Sequence, residues 1–592
     1  MPELVPNHMF DRFMMSAKRY EEKWRKSNQK CFEYVDDEQW TSLERAAIEE
    51  RGQQPTVINT IQPTIEMVCA VAKEKQADVH VTGREGSDDK KATLMTELLR
   101  HVFDVCDFEY YHDEAVRESL IGGRSWFECS KYTDERGKDL IKVEKLPWEN
   151  VYLDPFSRKP DASDARFIIK VKWVDRDLAK KFFPDAAEYI DCTFDEDYQG
   201  QEYEAQMHGG AERGDAFYYD SRSNRVRICE CYYSMPATEE IKYLDELTGQ
   251  EKTKSVTRLK IHYVIFTDNI ILKGSATDHT KNKNPLEIDM YPIVPMYCMR
   301  DREGRPRGIV KGLIDIQDQI NKLNSKFLWA LATNRLIAEE GALKDPDEAK
   351  EEFQRPDGLI ILTEGGLNRV RIDDKYRDLS YMSNHLNFLL ATEQRISGVN
   401  DSMLGIGGTN ERSGTMQSAR IAQGAAMQTR IMDNMFFSKK RIAQIVLRMI
   451  GKYYTDYRVL RITQPNGTVA SYEFNKAEYT VDPATGKKVV SGILNQIEDT
   501  LFYDVILKRN APFNSVRERQ LQIFSEVLKS GVIPPQIAAK MMLMLSDMPH
   551  KEDLLFELEN YYKQQEQMAQ QQAQAEMAAV QQAQGGSMPP MI

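Results

Sequence analysis

The most regular apolar pattern in the chain lies between Ile309 and Phe327. Its members recur at alternating spacings of four and three residues: Ile309, Leu313, Ile316, Ile320, Leu323 and Phe327. This spacing predicts one apolar face on a helix over 309–334. The other face is polar, and we expect it to be exposed to solvent: Lys311, Asp315, Asp318, Asn321, Lys322, Ser325 and Lys326.

A second helix with the same pattern is predicted over 376–397. Its apolar residues are Leu379, Met382, Leu386, Leu389 and Ile396, and Gly398 can end it. We call these two apolar faces the seams, and their spacing is typical of helices packed side by side at a shallow angle. Such a pair belongs in a bundle or in a ring of subunits, and it shows no catalytic pocket.

The segment 335–375 between the two seam helices, which we call the insert, is predicted to hold a small helix and a strand pair. The helix covers Asp345 to Phe353, and the predicted strands are 358–362 and 368–372. A short helix and a hairpin are too small to be stable alone. We therefore expect the insert to pack against its own copies in neighbouring subunits.

A glycine-rich segment and a long helix follow the second seam. Residues 398–414 contain five glycines, so they form either a flexible connector or a mobile loop that projects into a channel. Next, a helix is predicted from about Thr415 to Tyr453, in which we expect Gly424 to permit a bend or close packing.

The first 300 residues predict an α+β fold, with helices first and a mostly antiparallel sheet after them. Helices are expected over 8–50, Ile61 to Ala72 and Lys90 to Leu120, and strands continue to about Pro295. Residues 192–222 are acidic and weakly patterned, which indicates a surface loop. Strands return at 457–462 and 502–507, helices follow from Asn514, and the Gln/Ala tract 563–584 favours disorder.

Composition and charge limit the classes of protein to which the chain can belong. The chain has 592 residues, 41% of them hydrophobic, and a formal net charge of −13, so we expect several folded domains. The negative charge argues against a chain that coats nucleic acid, although DNA could slide past such a surface. Without a signal peptide or an apolar run of membrane-spanning length, the sequence favours a soluble protein made in a reducing cytoplasm.

Candidate chemistry is sparse. Cys229 and Cys231 would share one face of a strand, where a core position is favoured over a metal site, and no spaced Cys/His set completes a zinc site. Acidic clusters such as 36–38 lack the pattern of a calcium loop. Phosphate-binding, nucleotide-binding and hydrolase motifs are also missing. We therefore predict no catalytic residues, no cofactor, no metal and no enzyme activity.

Several short motifs, in their order along the chain, resemble the bacteriophage portal protein family, most closely that of short-tailed phages. They cover about residues 30 to 455: Gln39-Trp40 with 54–61, 121–126, Leu146-Pro147 with 154–157 and 161–165, 312–324, and 396–399 with Leu404-Gly405 and Ser413-Gly414. Each motif is modest alone, but the ordered set is specific.

The resemblance implies a ring-shaped homo-oligomer, normally of twelve subunits, at the capsid vertex of the virion. Double-stranded DNA would pass through its channel during packaging and ejection. The implied partners are terminase, tail adaptor proteins, and the major capsid and scaffolding proteins, with assembly in the host cytoplasm and no membrane. In such a ring we expect each seam helix to pack against its neighbour's copy.

The resemblance also implies a portal fold with defined parts. These are an α/β wing over 1–308, stem helices over 309–334 and 376–397, a clip over 335–375, a tunnel loop over 398–414, a channel-lining helix over 415–454, a β segment over 455–512 that returns to the wing, a helical crown over 513–565, and a short barrel or disordered tail over 566–592.

Candidate site residues follow from these parts. The candidates for contact with DNA in the channel are Lys326, Arg395, Asn410, Glu411 and Arg412. The candidates for the clip's partner interface are Arg335, Lys344, Arg355, Arg369 and Arg371. A channel wall with net negative charge would repel phosphates, so that DNA slides and makes only weak contacts with positive residues.

Two other functions stay open at this point. One is an oligomeric structural or adaptor protein of a virion that does not conduct DNA. The other is an enzyme whose active site is too dispersed to recognise in one sequence. The size of the assembled particle, and a hole as wide as a DNA duplex, would separate the first from a portal.

Overall fold

The computed structural model divides the chain into two compact units, Met1–Lys73 with Val102–Met449, and Glu74–His101 with Ile450–Ile592. We describe each unit by itself. The structure describes residues 3–4, 9–75, 77–83, 89–190, 218–220, 223–244, 251–268, 270–332, 336–353, 358–372, 376–400, 403, 423–424, 426, 428–463, 469–481, 488–495, 497, 503–509, 558 and 561–562.

After the two-residue strand at Glu3–Leu4, the first part of the chain is helical, as predicted. They are α1 (Met9–Val35), α2 (Ser42–Glu50) and α3 (Ile61–Glu74). The α2 helix starts with a capping box, in which the Thr41 hydroxyl accepts the Glu44 N–H and the Glu44 carboxylate accepts the Thr41 N–H.

The single helix predicted from Lys90 to Leu120 is wrong, because two helices occupy this stretch. They are α4 (Asp89–Val105) and α5 (Phe108–Gly122). Between them Asp107 adopts φ 50°, a left-handed conformation that ends a helix and that Asp tolerates better than most residues.

Every strand pairing is antiparallel among the described residues. The largest sheet has the order β1-β10-β9-β8-β6-β5, with β7 on β8. Its strands are β1 (Glu3–Leu4), β5 (Val151–Leu153), β6 (Phe167–Asp175), β7 (Tyr219–Asp220), β8 (Arg225–Leu244), β9 (Glu251–Thr267) and β10 (Ile270–Lys273). The α+β prediction is therefore confirmed.

Smaller elements complete this part of the first unit. A three-stranded sheet joins β3 (Arg124–Thr133), β4 (Asp139–Leu146) and β11 (Ile293–Tyr297), and β12 (Met299–Arg300) pairs with β13 (Pro306–Arg307). The short helix α6 (Arg176–Phe182) follows β6. Only 218–220 of the predicted 192–222 loop is described, and there β7 replaces the expected loop.

Aromatic side chains from α1 and the large sheet form the main core. Phe10, Phe167 and Phe266 are fully buried in it, and the Phe13 and Phe167 rings stack at 4.4 Å. Cys229 and Cys231 are also fully buried there, which confirms the predicted core position.

The predicted seam helices are present as α7 (Ile314–Ala332), after a 3-10 turn at Val310–Gly312, and α9 (Tyr376–Ser397). Between them the insert contains α8 (Pro346–Glu352), as predicted. The predicted strand pair is wrong, because β15 (Val370–Ile372) pairs with β14 (Leu336–Ala338), while Leu362 bridges Leu343. Strands of three residues carry too little pattern to fix a partner.

The long helix after the glycine-rich segment is α10 (Thr429–Tyr453). Residues 404–422, which include the predicted start at Thr415, lie outside the described residues. Gly424 is closely packed, as expected, because a Cβ atom there would lie 2.4 Å from the Met403 sulfur.

In the second unit, β2 (Ala77–Gly83) pairs with β20 (Tyr503–Arg509). Two hairpins accompany them: β16 (Arg458–Thr463) with β17 (Val469–Phe474), and β18 (Lys476–Val481) with β19 (Lys488–Leu494). The predicted strands at 457–462 and 502–507 are confirmed. Apart from 558 and 561–562, the predicted C-terminal helices and the Gln/Ala tract lie outside the described residues.

Candidate functional site

The two seams pack against each other within one chain. Ile316 and Ile320 of α7 meet Leu389 of α9 in a buried cluster. Leu323, Leu386 and Leu390 flank it. The side-by-side packing is thus confirmed, and packing against a neighbour's copy stays a prediction.

Part of the predicted solvent-exposed face of α7 is buried. Asn321 and Ser325 are only 1% exposed, as is Gln317, so the expectation of a fully solvated face is wrong. These three residues lie four apart and therefore occupy one side of the helix. A buried polar side chain needs hydrogen-bond partners, and these three find them in the extended segment 56–60.

The three side chains form what we call the polar ladder. Its hydrogen bonds run from the N–H of Thr60 to Gln317 Oε1 at 3.3 Å, from the N–H of Ile58 to Asn321 Oδ1 at 3.1 Å, and from the N–H of Thr56 to Ser325 Oγ at 3.2 Å. The match is geometric, since four helical residues rise about 6 Å and two extended residues about 6.6 Å. Side chains of α7 thus take the place of a neighbouring strand.

The ladder extends to the end of α1 and to the segment that follows it. Asn321 Nδ2 donates to Gln39 Oε1 at 2.5 Å, and the Tyr34 hydroxyl donates to Asp318. Burial, together with that hydrogen bond, raises the pKa of the Tyr34 hydroxyl, so it stays a donor. The ladder therefore fixes the position of α7 against α1 as well as against 56–60.

The second seam helix is tied to the same segment through Glu393. This carboxyl on α9 is buried, and burial raises its pKa while the nearby side chains of Thr60 and Thr64 oppose the rise. The Thr60 hydroxyl donates its proton to Gln317 Oε1 at 2.6 Å. One threonine therefore contacts both seam helices.

The entry into α7 is a close contact between two backbones. The Ile309 N–H donates to Leu120 O at 2.8 Å, and a Cβ atom on Gly308 would lie 2.1 Å from Ile121 O. Gly123 has φ 96°, and a Cβ there would lie 2.5 Å from the Arg307 nitrogen. Only glycine fits at these two positions.

The sequence-predicted channel residues are partly described. Lys326 on α7 and Arg395 on α9 are exposed. Asn410, Glu411 and Arg412 lie outside the described residues.

The predicted partner-interface residues of the insert are also only partly described. Lys344, Arg369 and Arg371 are exposed, and Arg371 lies on β15 opposite Ile337. The other two predicted residues, Arg335 and Arg355, lie outside the described part of the chain.

Sequence reasoning missed a set of exposed apolar side chains on this part of the chain. They are Leu328 and Leu331 on α7, Tyr381 and Phe388 on α9, and Ile337, Leu359, Ile361 and Leu367 in the insert. Several such residues on neighbouring elements are typical of a protein–protein contact surface. The signal in the sequence that could have identified this surface was the presence of apolar residues that do not fit the seam spacing.

Across the described ranges, no three His, Cys, Asp or Glu side chains are grouped as ligands for a metal ion. None of the helices in those ranges combines the length and apolar character needed to span a bilayer.

A family model described as Phage P22-like portal protein matches residues 11–589. No curated protein matches the chain.

Proposed function

The chain belongs to the phage P22-like portal protein family, and on this premise we propose that it forms a ring of twelve copies at a capsid vertex. Double-stranded DNA passes through the ring during packaging and ejection. The ring docks terminase and later a tail adaptor, and it sits among the major capsid and scaffolding proteins. The family match over nearly the whole chain carries this proposal.

In this proposal each part of the chain has a role in the ring. The wing is 1–308 with 455–512, the stem is 309–334 with 376–397, the clip is 335–375, the tunnel loop is 398–414, the channel helix is 415–454, the crown is 513–565, and the short barrel or tail is 566–592.

The exposed apolar side chains of α7, α9 and the insert support assembly into a ring. A monomer gains nothing from exposing Leu331 at 53% and Phe388 at 58%, whereas burying a leucine or phenylalanine side chain contributes about 1.5–3 kcal/mol. In a ring, these side chains of each copy are covered by the neighbouring copy.

Charge supports the passage of DNA. The net charge of −13 repels phosphates from the channel wall. Lys326, Arg395 and Arg412, with Asn410 and Glu411 beside the last, supply weak contacts that hold DNA without stopping it.

The basic residues of the clip suit acidic surfaces on a docking partner. Lys344, Arg369 and Arg371 are exposed, and we assign the same role to Arg335 and Arg355. Reversing these charges is expected to weaken terminase or adaptor binding and to leave ring formation unchanged.

Negative-stain images and the mass of the purified particle test the ring. We expect about a dozen copies around a hole that admits a DNA duplex. A particle without such a hole would favour the structural or adaptor protein that does not conduct DNA.

A matched pair of variants tests the assembly surface. Leu331→Asp is expected to lower the assembled fraction in sedimentation. Leu178→Asp, a change to an exposed leucine on α6, is expected to leave it unchanged. Equal assembly of the two variants would remove Leu331 from the interface.

The tunnel loop is tested separately. Arg412→Ala is expected to reduce packaging or genome retention. Wild-type levels of both would rule out the proposed contact between Arg412 and DNA.

A further inference from the structure

The strands β8 and β9 extend beyond the rest of the large sheet. The neighbouring strand β6 pairs with β8 only as far as Tyr233, and β10 pairs with β9 only from Ile265 onward. Further out, β8 and β9 pair with each other alone among the described strands, over ten residue pairs. We call this two-stranded projection, 235–244 with 251–260, the arm. It is about 34 Å long at about 3.4 Å per residue.

Most of the described side chains of the arm are exposed in a single chain. The exposed ones are Pro236, Thr238 and Glu240 of β8 and residues 253–255 and 257–259 of β9. Among them, Leu259 is 63% exposed. An isolated two-stranded hairpin is at best marginally stable in water. An arm of this length therefore gains stability when another surface covers it.

Positive charge is concentrated on one face of the arm. Alternate residues of a strand lie on opposite faces, so the pairing places on one face residues 235, 237 and 239 of β8 with 254, 256, 258 and 260 of β9. The cations of this face are Lys254, Arg258 and Lys260, and its acidic residue is Glu239. On the other face, the only charged side chain that the structure describes is Glu240. We call the first of these the basic face.

Two cations of the basic face are left over after pairing within the chain. Lys260 forms an ion pair with Glu239, whereas Lys254 and Arg258 are exposed and form no ion pair with the described residues. The chain as a whole has a net charge of −13, so its copies repel one another. A contact between copies is favoured where a basic surface of one copy meets an acidic surface of the next. The basic face supplies such a surface.

We propose that the arm reaches to a neighbouring copy of this chain and that its basic face lies against an acidic surface of that copy. This inference rests on the proposed ring. A DNA duplex is the other anionic partner, but two unpaired cations neutralise few phosphates. DNA would also leave Val256, which lies between Lys254 and Arg258 on the same face, without an apolar partner.

The double variant Lys254→Glu, Arg258→Glu tests this contact in the full-length chain. We expect its assembly, measured by sedimentation at a series of protein concentrations, to need about tenfold more protein, because repulsion replaces attraction at each contact. Added salt should narrow the difference from the wild type, since it screens exposed charges. Both positions are exposed, so the thermal melt of the unassembled chain should not change.

Lys172→Glu with Lys273→Glu is the matched control. These exposed lysines lie on β6 and β10 of the same sheet, outside the arm, and their reversal changes the net charge by the same amount. The control measures the general effect of added negative charge on assembly, which we expect to be small. Equal assembly of the two double variants would overturn the proposal.

Chemical cross-linking identifies the partner directly. Particles assembled from a mixture of unlabelled and nitrogen-15-labelled chains are treated with a carbodiimide, which joins a lysine amine to a carboxylate without a spacer. We expect Lys254 in cross-links between a light and a heavy peptide, and the acidic peptide then locates the surface on the neighbouring copy. The absence of such mixed cross-links from assembled particles would contradict the proposal.

The same variants separate this proposal from a role in DNA binding and from the ring itself. A Lys254→Glu, Arg258→Glu variant that assembles normally but binds less duplex DNA would assign the arm to DNA and overturn the proposal. Wild-type protein that stays a single chain would overturn the ring, and the arm contact with it. A normal ring formed by the double variant would remove only the arm contact.

Discussion

The core formed by α1 and the large sheet, which we call the sheet core, and the insert differ in how much apolar surface one chain buries by itself. In the sheet core, the large rings of Phe10, Phe167 and Phe266 have no exposed area. In the described part of the insert, the buried hydrophobic residues are Ala342 and Ala349, while Leu359 is 75% and Leu367 80% exposed. One chain therefore forms the sheet core by itself, whereas the described part of the insert buries little apolar surface of its own.

This difference separates folding from assembly. Buried apolar area stabilises by about 25 cal/mol per Å², and in the sheet core that gain comes when the chain folds. In the insert the same gain is available only when another surface covers Leu359 and Leu367. A substitution in the sheet core should therefore act on unfolding, and one in the insert on association.

The largest expected loss of stability is that of Phe266→Ala in the sheet core. Its ring packs against Phe10 at 6.1 Å, and truncating a buried phenylalanine costs about 3–5 kcal/mol. Urea denaturation of the unassembled chain measures the loss. Phe156→Ala, at an exposed phenylalanine of the same unit, is the control, and an equal loss in both would break the comparison.

Acid should lower the stability of the first unit through His112. Burial, and then the charge of Lys439, lowers the pKa of His112 to about 3, and neither ring nitrogen has a hydrogen-bond partner among the described residues. The unfolded chain binds this proton near pH 6.5, so stability falls below that pH by about 1.4 kcal/mol per pH unit.

Denaturation at several pH values between about 6 and 4 tests this effect. His112→Leu should lose that part of the slope, because leucine binds no proton. His385→Gln, at an exposed histidine of α9, should keep it. Parallel pH profiles for His112→Leu and the wild type would show that His112 does not supply the slope.

A smaller loss of stability is expected from Asn321→Ala in the polar ladder, which joins α7 to the segment 56–60. The change removes the acceptor of the Ile58 N–H and the donor to Gln39, which costs about 1–3 kcal/mol. Hydrogen exchange should show faster exchange at the Ile58 amide. Lys322→Ala, at the exposed neighbour, should change stability by no more than about 0.5 kcal/mol, and unchanged exchange at Ile58 would contradict the ladder's role.

The smallest effect on unfolding is expected from Leu359→Ser in the insert. An exposed position should change stability by less than about 0.5 kcal/mol, while the assembled fraction in sedimentation should fall. Leu43→Ser, at an exposed leucine of α2, should leave both quantities unchanged. A loss of chain stability at Leu359 would mean that the insert is complete in one copy after all.

The seam helices could be predicted because their apolar residues repeat over many turns. Ile316, Ile320 and Leu389 were assigned to the seams by spacing alone, and they are the buried residues of that contact. The burial of both Cys229 and Cys231 was predictable for a similar reason, since residues two apart on a strand lie on the same face of the sheet.

Local breaks and short pairings were not predictable. The α4–α5 break rests on the left-handed Asp107, a residue type that also occurs inside helices. The partner of β15 depends on how the insert folds as a whole, because three-residue strands contain little pattern.

The surroundings of polar residues were hard to predict from the sequence. Asn321 and Ser325 looked solvated, yet they satisfy backbone N–H groups of a segment about 265 residues earlier in the chain. Tyr111 and Glu118 share α5, but a cavity that they line also includes Trp148 of a separate turn, which the sequence does not bring near them. The exposure of Lys326 and Arg395 agrees with their proposed role, which stays a prediction.

The pairing of β2 with β20 has a consequence for the order of events during synthesis. Thr82 and Asp504, which face each other across this pair, are 422 residues apart. At about 5–20 residues per second, a ribosome needs roughly 20–80 s to supply the second strand after the first. Until then β2 has no partner strand, so this pairing forms only after residues 503–509 have been synthesised. A truncated product would lack this closure and would be open to proteolysis.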